Sequence, residues 1–139
     1  MSKPKPELYK GTNKIVRCGF YEGLRYYIKD CMICPYAYIC LPDNLYKEGI
    51  GFGIINNTCH GGLTYSGELY DHKMNKLENN VVGWDYGHIG DFIGSEVLSN
   101  DTYSINQLQQ VRKWTINEIE KEIQEVIHNY KNYLTIQYS

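Results

Sequence analysis

The chain has 139 residues, with 14 Lys+Arg against 16 Asp+Glu and a formal charge of −2. That length suits one domain with a real core, and the near-neutral balance excludes a protein that coats long nucleic acid by neutralising its phosphates. No apolar run approaches the roughly 18 residues of a membrane span, the lead MSKPKPELYK lacks the apolar stretch of a secretory signal, and the 42% hydrophobic content argues against disorder.

In chain order, residues 1–13 alternate Lys and Pro and read as a lead-in. Lys14–Tyr21 and Leu24–Lys29 are expected strands joined by a Glu22-Gly23 turn. Pro35–Leu41 alternates, with Tyr36, Tyr38 and Cys40 on one face and Ala37, Ile39 and Leu41 on the other. Residues 43–58 read as loop-rich around the apolar run Ile50–Ile55, with Gly49, Gly51 and Gly53 marking bulges or close backbone approach. Cys59–Ser66 and Val81–His88 read as glycine-bearing strands, and Asp71–Asn80 between them as a solvated loop.

The character changes near residue 101. Ser104-Ile-Asn-Gln107 and Thr115-Ile-Asn-Glu118 are capping boxes, which pair a side-chain oxygen with an orphan amide at a helix start. The expected helices cover about 104–114 and 115–134, with a kink at Trp114-Thr115. Ile116, Ile119, Ile123, Val126, Tyr130 and Tyr133 repeat at spacings of 3 and 4, an apolar seam widened by Ile127 and Leu134. Such a seam lies on a sheet or pairs with its own copy, and its strict spacing favours pairing.

The expected fold class is therefore α+β. A small antiparallel sheet over about 14–92 is followed by a C-terminal helical segment at a homo-oligomer interface, in one domain over 1–139. The 14 Tyr fit half-buried strand faces best. The five cysteines are odd in number, and Cys31-Met-Ile-Cys34 lacks the second pair of a structural zinc site, so free thiols in a reducing cytoplasm are expected.

Two segments carry candidate chemistry. In His60-Gly61-Gly62-Leu63-Thr64-Tyr65 the paired glycines leave amides open to a ligand, or else form a bulge at positive φ. In Gly83-Trp84-Asp85-Tyr86-Gly87-His88-Ile89-Gly90-Asp91, the residues Asp85, His88 and Asp91 recur every third position. With His60 they have the donor types of a two-His, two-carboxylate metal site or a carboxylate-oriented general base. The alternative is that both Asp cap turns and His88 is an interior histidine. The nucleophile motif GxSxG and the phosphate loop GxxxxGK are absent from the sequence.

These segments, with the strand Ala37-Tyr-Ile-Cys-Leu-Pro42 and the helix start Lys113-Trp-Thr-x-x-Glu-Ile119, resemble the first type of phage-encoded Thoeris anti-defence proteins, over about residues 35–127. The resemblance implies a sponge rather than an enzyme. Proteins of that family bind cyclic ADP-ribose isomers made by TIR-domain proteins and sequester them uncleaved, so the defence effector stays silent. Some members also trap cyclic oligonucleotides at a separate site. It further implies homo-oligomers assembled through the C-terminal helices, action in the cytoplasm of the infected bacterium, and neither a cofactor nor a metal. Such a ligand needs rings to stack its adenine, donors for its diphosphate and acceptors for its riboses. On that chemistry the candidate contacts are His60, Gly61, Gly62, Thr64, Trp84, Asp85, His88, Asp91 and Arg112. Only three Arg are present, and Arg112, beside Trp114 at the helix junction, is the favoured phosphate partner. Two other classes stay open: a small hydrolase or lyase using His60, His88 and the two Asp, and a module that binds a protein through its helical seam.

Overall fold

A computed structural model describes residues 11–87 and 114–138. It shows a five-stranded antiparallel sheet followed by a long C-terminal helix, the α+β arrangement expected. The strands are β1 (Ile15–Tyr21), β2 (Leu24–Asp30), β3 (Pro35–Cys40), β4 (Tyr65–Tyr70) and β5 (Lys76–Asp85). The helices are α1 (Asp43–Glu48), α2 (Phe52–Thr58) and α3 (Ile116–Tyr138). The sheet order is β1-β2-β3-β5-β4. Chain order alone joins β1, β2 and β3. The crossover through α1 and α2 then carries the chain past the β5 position, so that β4 forms the second edge.

Several elements follow their local sequence. Glu22 and Gly23 both take positive φ, +47° and +84°, the two-residue turn that suits the twist of a hairpin. Strand β3 splits its side chains as its alternation predicts. Ala37 and Ile39 enter the core beneath α3, while Tyr38, flanked by Tyr36 and Cys40, enters a second cluster on the other face. The Thr115 box closes reciprocally: the Glu118 amide donates to Thr115 Oγ1 at 3.1 Å, and the Thr115 amide donates to Glu118 Oε1 at 3.1 Å. All five cysteines are free thiols.

Other expectations are corrected. Residues 43–58 form α1 and α2 rather than loop. Gly49 (φ +67°) closes α1 in the left-handed conformation and Gly51 (φ +79°) opens α2, so these glycines cap helices instead of marking bulges. A Cβ at Gly51 would lie 2.4 Å from the Tyr130 ring, so the glycine also lets α2 meet α3. Cys59–Ser66 is not a strand as far as Thr64, because Gly61 and Gly62 at φ +70° and +89° turn the chain; β4 starts at Tyr65. The solvated loop shrinks to 71–75, wound around Asp71 Oδ1, which accepts from the Lys73 and Asn75 amides at 2.9 Å each. Strand β5 starts at Lys76 and ends at Asp85. The helix expected over 104–114 and its kink lie outside the described residues.

The core fills the space between the sheet and α3. Ile119, Ile123, Val126, Ile127 and Tyr130 are buried against Tyr26, Ile28, Ala37, Ile39, Val82 and Trp84, with Ile55 and Cys59 closing one side. The middle of the α3 seam, from Ile119 to Tyr130, is thus spent on its own sheet, while Ile116 at its start stays 38% exposed. On the opposite face, the β4–β5 hairpin bends back over the sheet. Lys29 Nζ, near the far end of β2, donates to the Tyr70 carbonyl at 3.0 Å, and Tyr27 and Arg25 both donate to Glu78, at 2.7 and 3.2 Å. Two register slips in β4, on either side of Leu69, accompany this bend.

Candidate functional site

Strand β5 divides the candidate residues between two faces. Successive strand side chains point to opposite sides, so Trp84 enters the helix-side core while Asp85, opposite Tyr36, faces the other way.

On the helix side, Glu122 of α3 is the hub. Its Oε1 accepts from the Tyr86 hydroxyl at 2.6 Å, from Trp84 Nε1 at 3.2 Å and from the His60 amide at 3.2 Å. Trp84 Nε1 also donates to the Tyr86 hydroxyl at 2.9 Å. The His60 ring stacks on Tyr86, with centroids 5.0 Å apart and planes at 4°, and meets Trp114 edge-on at 4.8 Å. Tyr86 and Trp114 are 4.9 Å apart. Burial, and then its bond to Glu122, pushes the Tyr86 phenol far above its ordinary value. Burial, and then the Glu122 charge, raises the Cys59 thiol to about 11, so Cys59 is an inert thiol near neutral pH.

On the other side, Thr64 Oγ1 donates to Asp85 Oδ2 at 3.0 Å, and Asp85 Oδ1 accepts from the Gly87 amide at 3.0 Å. Asp85 thereby tethers the chain leaving the Gly61-Gly62 turn to the end of β5. The turn is fixed from behind as well, because Asn56 Oδ1 accepts from the Leu63 amide at 2.9 Å. Tyr36 and Tyr38 stack at 5.8 Å, and Tyr65 meets Tyr38 edge-on at 5.7 Å, giving this face a tyrosine floor.

The two motif segments therefore do meet, as Thr64 on Asp85 and as His60 on Tyr86. The grouping expected within them changes. Trp84 is fully buried and offers no ring to a ligand; it is a core anchor. His60 and Asp85 lie on opposite sides of the sheet and do not converge on one metal ion or one proton-transfer pair. Among the described residues no group of three His, Cys, Asp or Glu side chains is placed to hold a metal ion. His88, Asp91 and Arg112 lie outside the described residues. Two of the three arginines are engaged: Arg17 with Glu120 at 2.7 Å and Arg25 with Glu78 at 3.2 Å. Sequence reasoning missed Glu122. Its signal was only a carboxylate one position from the apolar seam, and nothing local says that such a residue will meet an indole and a phenol.

No family model, no curated protein and no solved structure matches the chain. Among the described residues no helix is long and apolar enough to cross a membrane.

Proposed function

We propose that the chain is a phage anti-defence sponge, of the kind its motifs resemble, that binds a cyclic ADP-ribose isomer and sequesters it uncleaved in the cytoplasm of the infected host. The observation that carries this reading is the convergence of the two motif segments. The Thr64–Asp85 bond holds two successive left-handed glycines beside the end of β5, leaving a close-approach turn next to a carboxylate and a tyrosine floor. Gly61 would offer backbone to the diphosphate, since the Gly62 amide already donates to the Cys59 carbonyl at 3.4 Å; Asp85 would accept from a ribose, and Tyr36 or Tyr65 would stack the base. With Arg17 and Arg25 already paired, the guanidinium for the diphosphate falls to Arg112. His88 and Asp91 follow Asp85 closely in sequence and complete the proposed contact set.

Assembly through the C-terminal helices, which the resemblance implies, would use the outer side of α3, since the middle of its seam is occupied. A second site for cyclic oligonucleotides would belong to such an assembly.

The test is incubation with a TIR-produced cyclic ADP-ribose isomer, followed by thermal unfolding and analysis of what is released. A ligand at about 100 times its Kd adds about 2.7 kcal/mol of stability, so the expected result is a raised midpoint and intact nucleotide in the supernatant. Arg112→Ala should remove the shift and Arg17→Ala should retain it. A cleaved product would turn the reading to a hydrolase or lyase; no shift with any isomer would end it.

A further inference from the structure

The two edges of the sheet differ. Strand β4 slips register twice, and its Gly67 takes φ +150°; such irregularities blunt an edge against pairing. Strand β1 slips only between Ile15 and Arg17, which leaves Arg17–Tyr21 regular. Its turn also fixes which backbone groups point outward. A two-residue hairpin closes on a hydrogen-bonded pair, here Tyr21 with Leu24, and such pairs recur at every second residue. Gly19 and Arg17 therefore direct their amides and carbonyls at β2, while Cys18 and Phe20 direct theirs at the outer edge of the described sheet. Among the described residues no backbone hydrogen bond reaches that edge. Phe20 is 63% exposed and Cys18 is exposed. The stretch holds no Pro, and its one charge, Arg17, is drawn to α3 by Glu120.

We propose that two copies of the chain pair through β1, antiparallel about a two-fold axis at Gly19, joining their sheets into one. Laid against its own reverse, the stretch complements itself. Cys18 then faces the partner's Phe20 and Phe20 faces the partner's Cys18, both with outward backbone groups, making about four inter-strand hydrogen bonds. Each Phe20 ring, which lies under its own Arg25 guanidinium at 4.6 Å, flanks the partner's thiol on the outer face of the sheet and leaves it open to solvent. Gly19 faces the partner's Gly19 at the axis, where strands approach closely. There each glycine is roofed by its own Tyr26, whose hydroxyl would lie 2.6 Å from a Cβ at that position. Arg17 faces the partner's Tyr21, so no like charges meet. A two-fold axis through an antiparallel pair stands perpendicular to the sheet, so both copies of α3 lie on the same side of it. This contact is separate from the seam and from the proposed nucleotide turn, and it stands or falls independently of them.

Sedimentation equilibrium over a concentration series, combined with a short bis-maleimide, tests it. In this register the two Cys18 are diagonal neighbours about 7–8 Å apart. That is too far for a direct disulfide and within reach of the linker. The expected results are a concentration-dependent dimer and a mapped Cys18–Cys18 cross-link. Phe20→Glu should lower the cross-link at least tenfold and return the mass to monomer, with circular dichroism retained and a thermal midpoint that no longer rises with protein concentration. Met74→Glu, at a side chain 72% exposed elsewhere, should change neither. A monomer at every concentration, or a dimer that Phe20→Glu leaves intact, would overturn the proposal.

Discussion

Glu122 shows how much one side chain can organise. A carboxylate that accepts an indole N–H, a phenol and an amide replaces water for three donors at once. Glu122→Ala leaves buried donors without their acceptor, at a cost of about 2–4 kcal/mol. Glu122→Gln keeps an acceptor oxygen and should lose about 1 kcal/mol. Urea unfolding of both variants checks the order, and Trp84 fluorescence should change in the alanine variant well below its unfolding midpoint. If the two variants lose the same stability, the hub is packing rather than hydrogen bonding. The reason Trp84 misled the sequence reading is also physical. In a strand with one face under a helix, a tryptophan beside an aspartate goes inward and the aspartate outward, and only the register says which of the two a ligand could meet.

At the scale of elements, the legible parts were those with their own grammar. The β1–β2 hairpin was announced by Glu22-Gly23, β3 by its alternation, and the start of α3 by the Thr115 box. Removing that box tests its weight: Thr115→Ala should cost about 1 kcal/mol, read as a lower urea midpoint with an unchanged slope. The illegible parts were those where glycines had two meanings. Gly49 and Gly51 ended and began helices too short to show periodicity, and Gly61-Gly62 bent a segment whose flanking residues suit a strand. The polar start of β5 looked like loop because its strand partner, Leu69, lies across a bulge and its Glu78 is used to bind Tyr27 and Arg25. Gly83 is the clearest case of a residue explained only by the sheet: a Cβ there would sit 2.7 Å from the Tyr38 ring and 2.8 Å from the Ala37 carbonyl. Gly83→Ala is expected to cost about 1–3 kcal/mol through overpacking, measurable by the same urea titration.

For the whole molecule, the tyrosine surplus becomes a statement about pH. Burial, aided by the bond to Glu78, raises Tyr27 to about 12, and burial raises Tyr130 to about 12. Both folded values exceed the ordinary 10.0. The stability they contribute is therefore complete below pH 10 and is lost as pH rises from 10 to 12. The unfolding midpoint should fall through that window, and the tyrosinate absorbance of the folded protein should lag behind that of the protein in urea. A flat midpoint up to pH 12 would show that these phenols are wet. Along with its fold class, the sequence declared its helix seam, yet whether the seam met a sheet or a second chain depended on the sheet offering an apolar face of matching length. Tyr26, Ile28, Ala37, Ile39 and Trp84 supply it, and they come from three strands far apart in sequence from α3.

That last separation has a consequence for synthesis. The apolar face of the sheet is finished once β5 has left the ribosome, while the helix that covers it is still being translated. For that interval the nascent chain presents a bare patch of Ile, Val and Trp side chains, the kind of surface that chaperones hold and that neighbouring chains aggregate on. The delay between the emergence of β5 and that of α3 thus sets how long this patch lacks the helix that covers it.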